Sequence, residues 1–161
     1  MPATREELID RARALAPAIR GRAAQTAEQR RPHDDSIREL IEAEIIQMLV
    51  PRRFGGSEVS LSTLFDVVEI ISAACPSTGW IASFYIAHNT YVARFPEETQ
   101  EELLGPRGYV LLPAAQAADM HAVKVPGGWE VSGRAAWGSG IMHADWVQIS
   151  GQAEDGRRSF L

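Results

Sequence analysis

The hydrophobic periodicity of this chain changes once, near Gly105-Pro106, and that change restricts its fold more than any other feature. Before it, apolar residues recur at three- and four-residue steps, the spacing that gathers them on one face of a helix. After it, short alternating runs are separated by glycines, the pattern of half-buried strands. Helices first and strands second predict an α+β arrangement, with a helical domain over residues 1–106 and a partial β-domain over 107–161. A length of 161 residues leaves room for one ordinary domain, or for a small domain and part of a second.

In the helical half, Thr4 and Glu7 have capping-box spacing, so a first helix carries Leu8, Ala12, Leu15 and Ile19, with a kink at Pro17 or Gly21. Pro32-His33-Asp34-Asp35 ends that segment. Asp34, Asp35 or Ser36 can cap a second helix bearing Ile37, Leu40, Ile41 and Glu44. The glycine pair of Arg52-Arg53-Phe54-Gly55-Gly56 marks a loop. Ser60 or Ser62 then caps a helix through Leu64, Val67, Val68, Ile71 and Ala74. Past an interruption at Pro76-Ser77, another helix runs from about Thr78 to Phe95, and a short one follows from Glu97 to Leu104.

In the second half, Tyr109-Val110-Leu111-Leu112 reads as a strand ending at Pro113. Ala122–Val125 and Trp129–Ser132 flank Pro126-Gly127-Gly128 and form a hairpin. Trp146–Ser150 is a further strand, Glu154–Arg157 a turn, and Ser159-Phe160-Leu161 the opening of another strand. Three or four strands without a covering layer leave an apolar face and open edges in water. The expectation is therefore a chain that continues, or one whose cover another chain supplies.

Composition removes several functions. Hydrophobic residues at 45% and charged residues at 23% suit a packed globular fold. The net charge of −5, with both signs mixed along the chain, offers no basic footprint for nucleic acid. Cys75 is the only cysteine, so no internal disulfide can form and a reducing compartment fits. The N-terminus is charged from the start and lacks an apolar signal core. No apolar run approaches the roughly 18 residues of a membrane span. A cytoplasmic protein with no membrane partner is expected. The four histidines lack zinc-site spacing and Cys75 has no cysteine beside it, so no metal site is expected.

One stretch can carry chemistry. Trp80, Phe84, His88, Tyr91 and Phe95 lie three or four residues apart and share one helical face. A histidine among aromatics can take a proton from a phenolic substrate. The same spacing also fits a core histidine satisfied by a backbone carbonyl.

Three further segments carry a family likeness. They are Leu49-Val50-Pro51-Arg52-Arg53-Phe54-Gly55-Gly56, then Cys75-Pro76-Ser77-Thr78-Gly79-Trp80 with His88-Asn89, then Gly127-Gly128-Trp129-Glu130-Val131-Ser132-Gly133-Arg134 leading through Trp137-Gly138-Ser139-Gly140 to His143-Ala144-Asp145-Trp146. In this order they resemble the acyl-CoA dehydrogenase superfamily, above all its oxygenase branch, the flavin-dependent hydroxylases that work with a separate flavin reductase. The resemblance implies an N-terminal helical domain and the first strands of a middle β-domain. A C-terminal four-helix domain, outside these residues, would mediate a homotetramer or dimer. It implies hydroxylation of a small aromatic or polycyclic substrate through a flavin C4a-hydroperoxide, using O2 and reduced flavin, FMNH2 or FADH2. These 161 residues by themselves are not expected to be active.

The resemblance also implies roles. His88 is the acid/base residue, and Trp80, Phe84 and Tyr91 line the substrate. Trp137, Gly138, Ser139 and Gly140 hold the flavin, with the glycines allowing close approach and Ser139 offering a hydroxyl and an amide. Pro113-Ala114-Ala115-Gln116 stands where acyl-CoA dehydrogenases carry a glycine-rich acidic turn beside the flavin, a departure that weighs against dehydrogenation and weakens a role for Gln116. Arg52 and Arg53 can reach a phosphate, though a solvated loop is expected. His143 reads as a structural or rim residue rather than a catalytic one, and His33 and His121 as solvated. The alternatives are an acyl-CoA dehydrogenase and a non-catalytic helical interaction module.

Overall fold

The computed structural model describes residues 1–115, 119–153, 156 and 159–160. The chain folds as two compact units, Met1–Val110 and Leu111–Leu161.

The first unit is helical. Helix α1, Arg5–Gly21, opens on the capping box read from sequence. The Glu7 amide donates to the Thr4 hydroxyl at 3.2 Å and the Thr4 amide to the Glu7 carboxylate at 2.7 Å. The Thr4 amide, and then the Thr4 hydroxyl, hold the Glu7 carboxyl below its ordinary value. The helix passes through Pro17 and breaks one residue beyond Gly21, at Arg22, whose amide donates to the Ala18 and Ile19 carbonyls; α2, Ala23–Gln29, follows at once. Helix α3 spans Asp34–Glu42, and its cap is neither aspartate nor Ser36 but His33, whose Nδ1 accepts the Asp35 amide at 3.2 Å. His33 is therefore half-buried and structural rather than solvated. The two aspartates instead occupy the first turn, where their charge suits the helix dipole. Glu44 lies past the helix in left-handed backbone (φ 57°) and pairs with Arg11 at 2.6 Å.

Helix α4, Leu61–Ala74, has Ser60 at its cap position, but the Ser60 hydroxyl meets that of Ser62 at 2.7 Å rather than an amide. Helix α5, Pro76–Val92, begins at the proline that reads as an interruption in the sequence. At the first helical position a missing N–H costs nothing, so Pro76 starts the helix and Cys75 alone separates α4 from α5. The helices pack tightly there: a Cβ at Gly79 would fall 2.1 Å from Ser72 Oγ and 2.7 Å from Ser72 Cα. Helix α6 spans Glu97–Leu104, as the sequence predicts. Around α5 and α4 the core closes on Leu8, Ile19, Leu40, Ile71, Tyr85 and Ile86. A two-pronged ion pair ties α2's start to α3, with Arg22 nitrogens at 2.6 and 2.7 Å from the Glu39 oxygens.

Tyr109–Leu112, expected as a strand, joins no sheet. The backbone groups of Val110 and Leu111 are taken elsewhere instead. The Asn89 side chain accepts the Val110 amide at 3.0 Å and donates to the Val110 carbonyl at 3.2 Å. The Asp145 carboxylate accepts the Leu111 amide at 3.0 Å, and the Asp145 amide donates to the Leu111 carbonyl. A ladder partner finds the Val110 and Leu111 groups already engaged.

The second unit carries two small sheets among the described residues. One has the order β1-β4-β6, from Ala114–Ala115, Gln148–Ser150 and Ser159–Phe160; the other has the order β3-β2-β5, from Gly128–Arg134, Asp119–Val125 and Gln152–Ala153. The predicted hairpin is β2 and β3, antiparallel, with Val125 opposite Gly128 across Pro126-Gly127 and Ala122 opposite Val131. Strand β4 starts later than predicted, because Trp146 turns its amide to the Leu111 carbonyl. His121 is exposed, but in mid-strand opposite Ser132 rather than beside a turn. Of the expected Glu154–Arg157 turn, residues 154, 155 and 157 lie outside the described residues, as does Leu161. Among the described residues no helix is long and apolar enough to cross a membrane.

Candidate functional site

Helix α5 is apolar almost all round and packs against α4, α3, α2 and α6, so its side chains are held from several sides. One face of it carries the expected stripe as a continuous column of rings. Trp80 and Phe84 meet edge to face with centroids 4.8 Å apart. Phe84 and His88 are 5.2 Å apart and tilted by 53°. His88 and Tyr91 stack at 5.0 Å with only 22° between their planes. Trp80 and Tyr91 are exposed at the two ends, while His88 between them is 5% exposed. Phe95 falls beyond the end of the helix.

The residue after His88 has a role that sequence reasoning left unassigned. Asn89 is fully buried, and its amide nitrogen also donates to the Tyr85 carbonyl at 2.7 Å. It therefore locks the helix turn that carries His88 and pins Val110 at the same time. A buried asparagine inside an apolar helix is the signal that points to it, because such a group is retained only when fully bonded.

In the second unit, the segment after β3 shows what the Trp137-Gly138-Ser139-Gly140 motif builds. Trp137 sits in left-handed backbone (φ 63°) with its indole 92% exposed. The Ser139 amide donates to the Trp137 carbonyl at 2.9 Å, closing a three-residue turn on Gly138. That amide is thus engaged within the turn. A Cβ at Gly138 would meet only Ile141 Cβ, at 3.7 Å, so the motif leaves open space in front of it. Gly140, at φ 94°, turns the chain into the 3₁₀ turn Ile141–His143, a conformation open to glycine. Ile141, Met142 and Trp146 join Trp137 as exposed apolar side chains within ten residues. His143 is half-buried.

The paired arginines separate in role. Arg53 is committed within the helical unit, to Glu97 at 3.1 Å, to the Gln100 side chain, and over the Phe54 ring at 4.5 Å. Arg52 is exposed in the turn Arg52–Phe54, its amide donating to Glu58 at 3.0 Å. Among the described residues no group of three or more His, Cys, Asp or Glu is placed to hold a metal ion.

The sequence pattern of the acyl-CoA dehydrogenase N-terminal domain matches residues 2–107. The chain belongs to the acyl-CoA dehydrogenase family. Within it, the chain is 42% identical over 151 residues to a pigment production hydroxylase of Rhodococcus sp. (strain ATCC 21145), covering 94% of this chain and 39% of that protein. It is 35% identical over 150 residues to HsaA of Rhodococcus jostii (strain RHA1), the oxygenase subunit of a flavin-dependent monooxygenase, covering 92% of this chain and 39% of HsaA. The crystal structure of the HsaA monooxygenase from M. tuberculosis superposes with a TM-score of 0.90 at 30% identity, over 98% of this chain and 44% of that one. The chain thus spans about two-fifths of the length of these acyl-CoA dehydrogenase relatives. Of the stretch that departs from the dehydrogenase pattern, Ala114 and Ala115 form β1 and Gln116 lies outside the described residues.

Proposed function

We propose that this chain is the N-terminal part of an oxygenase component that hydroxylates an aromatic or polycyclic small molecule. Reduced flavin, FMNH2 or FADH2, reaches it from a separate flavin reductase, and the complete protein works in the cytoplasm as a homotetramer or dimer. The observation that carries this reading is the ring column on α5, with the nearly buried His88 stacked between Phe84 and the partly exposed Tyr91. A core histidine has no need of an aromatic column open at both ends; a flat substrate does.

The residues present suit a flavin. Trp137, Ile141, Met142 and Trp146 leave an apolar surface uncovered in a short segment, and the turn at Gly138 puts no side chain before it. Trp137 would lie against the ring system, the Ser139 hydroxyl would serve as its polar contact, and Gly140 would keep the turn in shape. When bound, reduced flavin supplies the activation of dioxygen. Trp80, Phe84 and Tyr91 hold the aromatic substrate and exclude water from it. The His88 imidazole takes the phenolic proton as the ring becomes electron-rich at the carbon to be hydroxylated. Asn89 keeps the His88 turn in register.

The test uses the complete enzyme that contains these residues, supplied with chemically reduced flavin and isotopically labelled O2. Label is expected in the aromatic product. His88→Ala should slow hydroxylation by about a hundredfold while leaving flavin affinity within about twofold, well under the tenfold that 1.4 kcal/mol represents. Hydrogen peroxide as the sole product with every aromatic tried would remove the proposal.

A further inference from the structure

The motif His143-Ala144-Asp145-Trp146 closes the segment that carries Trp137, and from it Asp145 reaches back 34 residues to Leu111, within the same unit. We propose that Asp145 is a positioning residue for the flavin: its bonds to Leu111 set where residues 137–142 stand relative to the sheet that follows them. The inference rests on the reading that this segment holds the flavin.

The need for an anchor follows from the course of the chain. Strand β3 ends at Arg134 in one sheet and β4 begins at Gln148 in the other, so residues 135–147 cross between them with no strand of their own. Inside that crossing the backbone bonds are local. The Ser139 amide donates to the Trp137 carbonyl, Ile141 to Gly138, His143 to Gly140 and Ala144 to Ile141, spans of two or three residues. Such bonds shape the segment without tying it to a sheet. Side-chain packing adds little, because Trp137, Ile141 and Met142 are exposed.

Asp145 supplies the tie. Its carboxylate accepts the Leu111 amide at 3.0 Å, and its own amide donates to the Leu111 carbonyl at 3.0 Å. Two bonds exchanged between the same two residues fix orientation as well as distance. The Trp146 amide is directed at that carbonyl too, at 3.5 Å, and the Gln148 amide donates to the Pro113 carbonyl at 2.9 Å, where the parallel pairing of β1 with β4 begins. The Asp145 bonds therefore come just ahead of this ladder, with a carboxylate in the place of a backbone acceptor. A charged acceptor makes the stronger bond. Leu111 is 6% exposed, so water cannot readily replace that acceptor. Asp145 itself is exposed, and shortening it opens no cavity.

The experiment uses the complete enzyme and measures two quantities, anaerobic affinity for reduced flavin and amide hydrogen exchange across residues 137–144. Asp145→Ala should weaken flavin binding by about tenfold, near the low end for a hydrogen bond to a charged group. It should also quicken exchange at Ile141 and His143 while the β2–β3 hairpin keeps its protection. Asp145→Asn retains an acceptor oxygen and should stay within about twofold of the native affinity. A merely structural aspartate would lower the melting temperature and leave flavin affinity alone, which overturns the proposal. Unaltered exchange at Ile141 and His143 overturns it too, as does Asp145→Asn proving as damaging as Asp145→Ala. Asp145→Glu keeps the carboxylate but displaces it by one methylene, and it serves if Asp145→Ala fails to fold. Weaker flavin binding by Asp145→Glu at an unchanged melting temperature supports the positioning role, and native affinity overturns it. Trp137→Ala separates this inference from the reading beneath it. Affinity lowered by Trp137→Ala but not by Asp145→Ala overturns the positioning role and leaves the flavin segment standing. Affinity lowered by neither puts the flavin elsewhere and overturns both.

Discussion

The helical unit and the β unit differ in how closely their segments are packed and tied together. In Met1–Val110 the large aliphatic side chains close on one another, and the segments are cross-tied by Arg5 to Asp66, Arg11 to Glu44, Arg22 to Glu39 and the Ala3 amide to Ser57. In Leu111–Leu161, strand β3 buries none of its residues, and Val123, Trp137, Ile141, Met142 and Trp146 are exposed. The first unit closes a large core and holds a column of rings on its central helix, while Leu61 and Phe65 stay exposed and the Thr26 and Thr78 hydroxyls have no hydrogen-bond partner. The second is a surface whose apolar content makes sense as a place for something to be covered. Substitutions at the packed crossings of the helical unit should therefore fail by loss of stability, and those in the exposed Trp137 segment by loss of ligand.

The largest effect is expected at the α4–α5 crossing. Gly79→Val puts branched carbon where even a Cβ meets the Ser72 backbone at 2.7 Å, so the helices must part. A loss of about 4 kcal/mol in urea unfolding is expected, beyond ordinary overpacking. A loss below about 1 kcal/mol, the centre of ordinary point mutations, would show that the crossing is softer than its geometry. Asn89→Ala comes next. It strands the Val110 amide and carbonyl together and removes the extra bond to the Tyr85 carbonyl, and should cost about 3 kcal/mol. Hydrogen exchange should then quicken at Val110; unchanged protection there would mean that another group holds this segment.

That asparagine also shows what the sequence could and could not disclose. The helices were legible because their apolar positions repeat locally, down to the bounds of α6 and the Thr4–Glu7 cap. The hairpin was legible because Pro126-Gly127 is a turn by its own chemistry, and the ring column because helical spacing alone lines up Trp80, Phe84, His88 and Tyr91. Tyr109–Leu112 misled because its pattern is that of a strand, while its partners are side chains 21 and 34 residues away in sequence. His33 misled because capping by an imidazole nitrogen depends on the entry angle of the chain and not on residue type. The engaged Ser139 amide depends on a left-handed tryptophan, which no propensity favours.

A smaller effect, and one that depends on pH, belongs to the Arg22–Glu39 pair. The Arg22 guanidinium holds the Glu39 carboxyl below its ordinary value of 4.5, against the opposing pull of burial. A carboxyl lowered in the folded state stabilises the fold at pH values above its unfolded pKa and loses that contribution as pH falls through its folded one. Unfolding measured from pH 7 downward should therefore show stability draining away below about pH 4.5. Glu39→Gln should cost about 1.5 kcal/mol at pH 7 and flatten that part of the profile. An unchanged acid limb would assign the loss to other carboxylates.

The smallest effect has the opposite sign. Trp137 holds a left-handed backbone that a residue with a Cβ enters at a cost of roughly 1–2 kcal/mol, and its exposed indole recovers little of that by packing within the chain. Trp137→Gly removes the strain but frees the unfolded chain, which offsets about 0.5–1 kcal/mol. The net result should be a stability unchanged or raised by up to about 1 kcal/mol, while affinity of the complete enzyme for reduced flavin falls. Stability gained with binding lost would mean that the strain is kept for the ligand, as strained backbone at functional sites tends to be. If Trp137→Gly instead destabilises the protein by more than about 1 kcal/mol, the indole is packing against protein after all. The contrast between the packed helix crossings and the exposed Trp137 segment would then have to be redrawn.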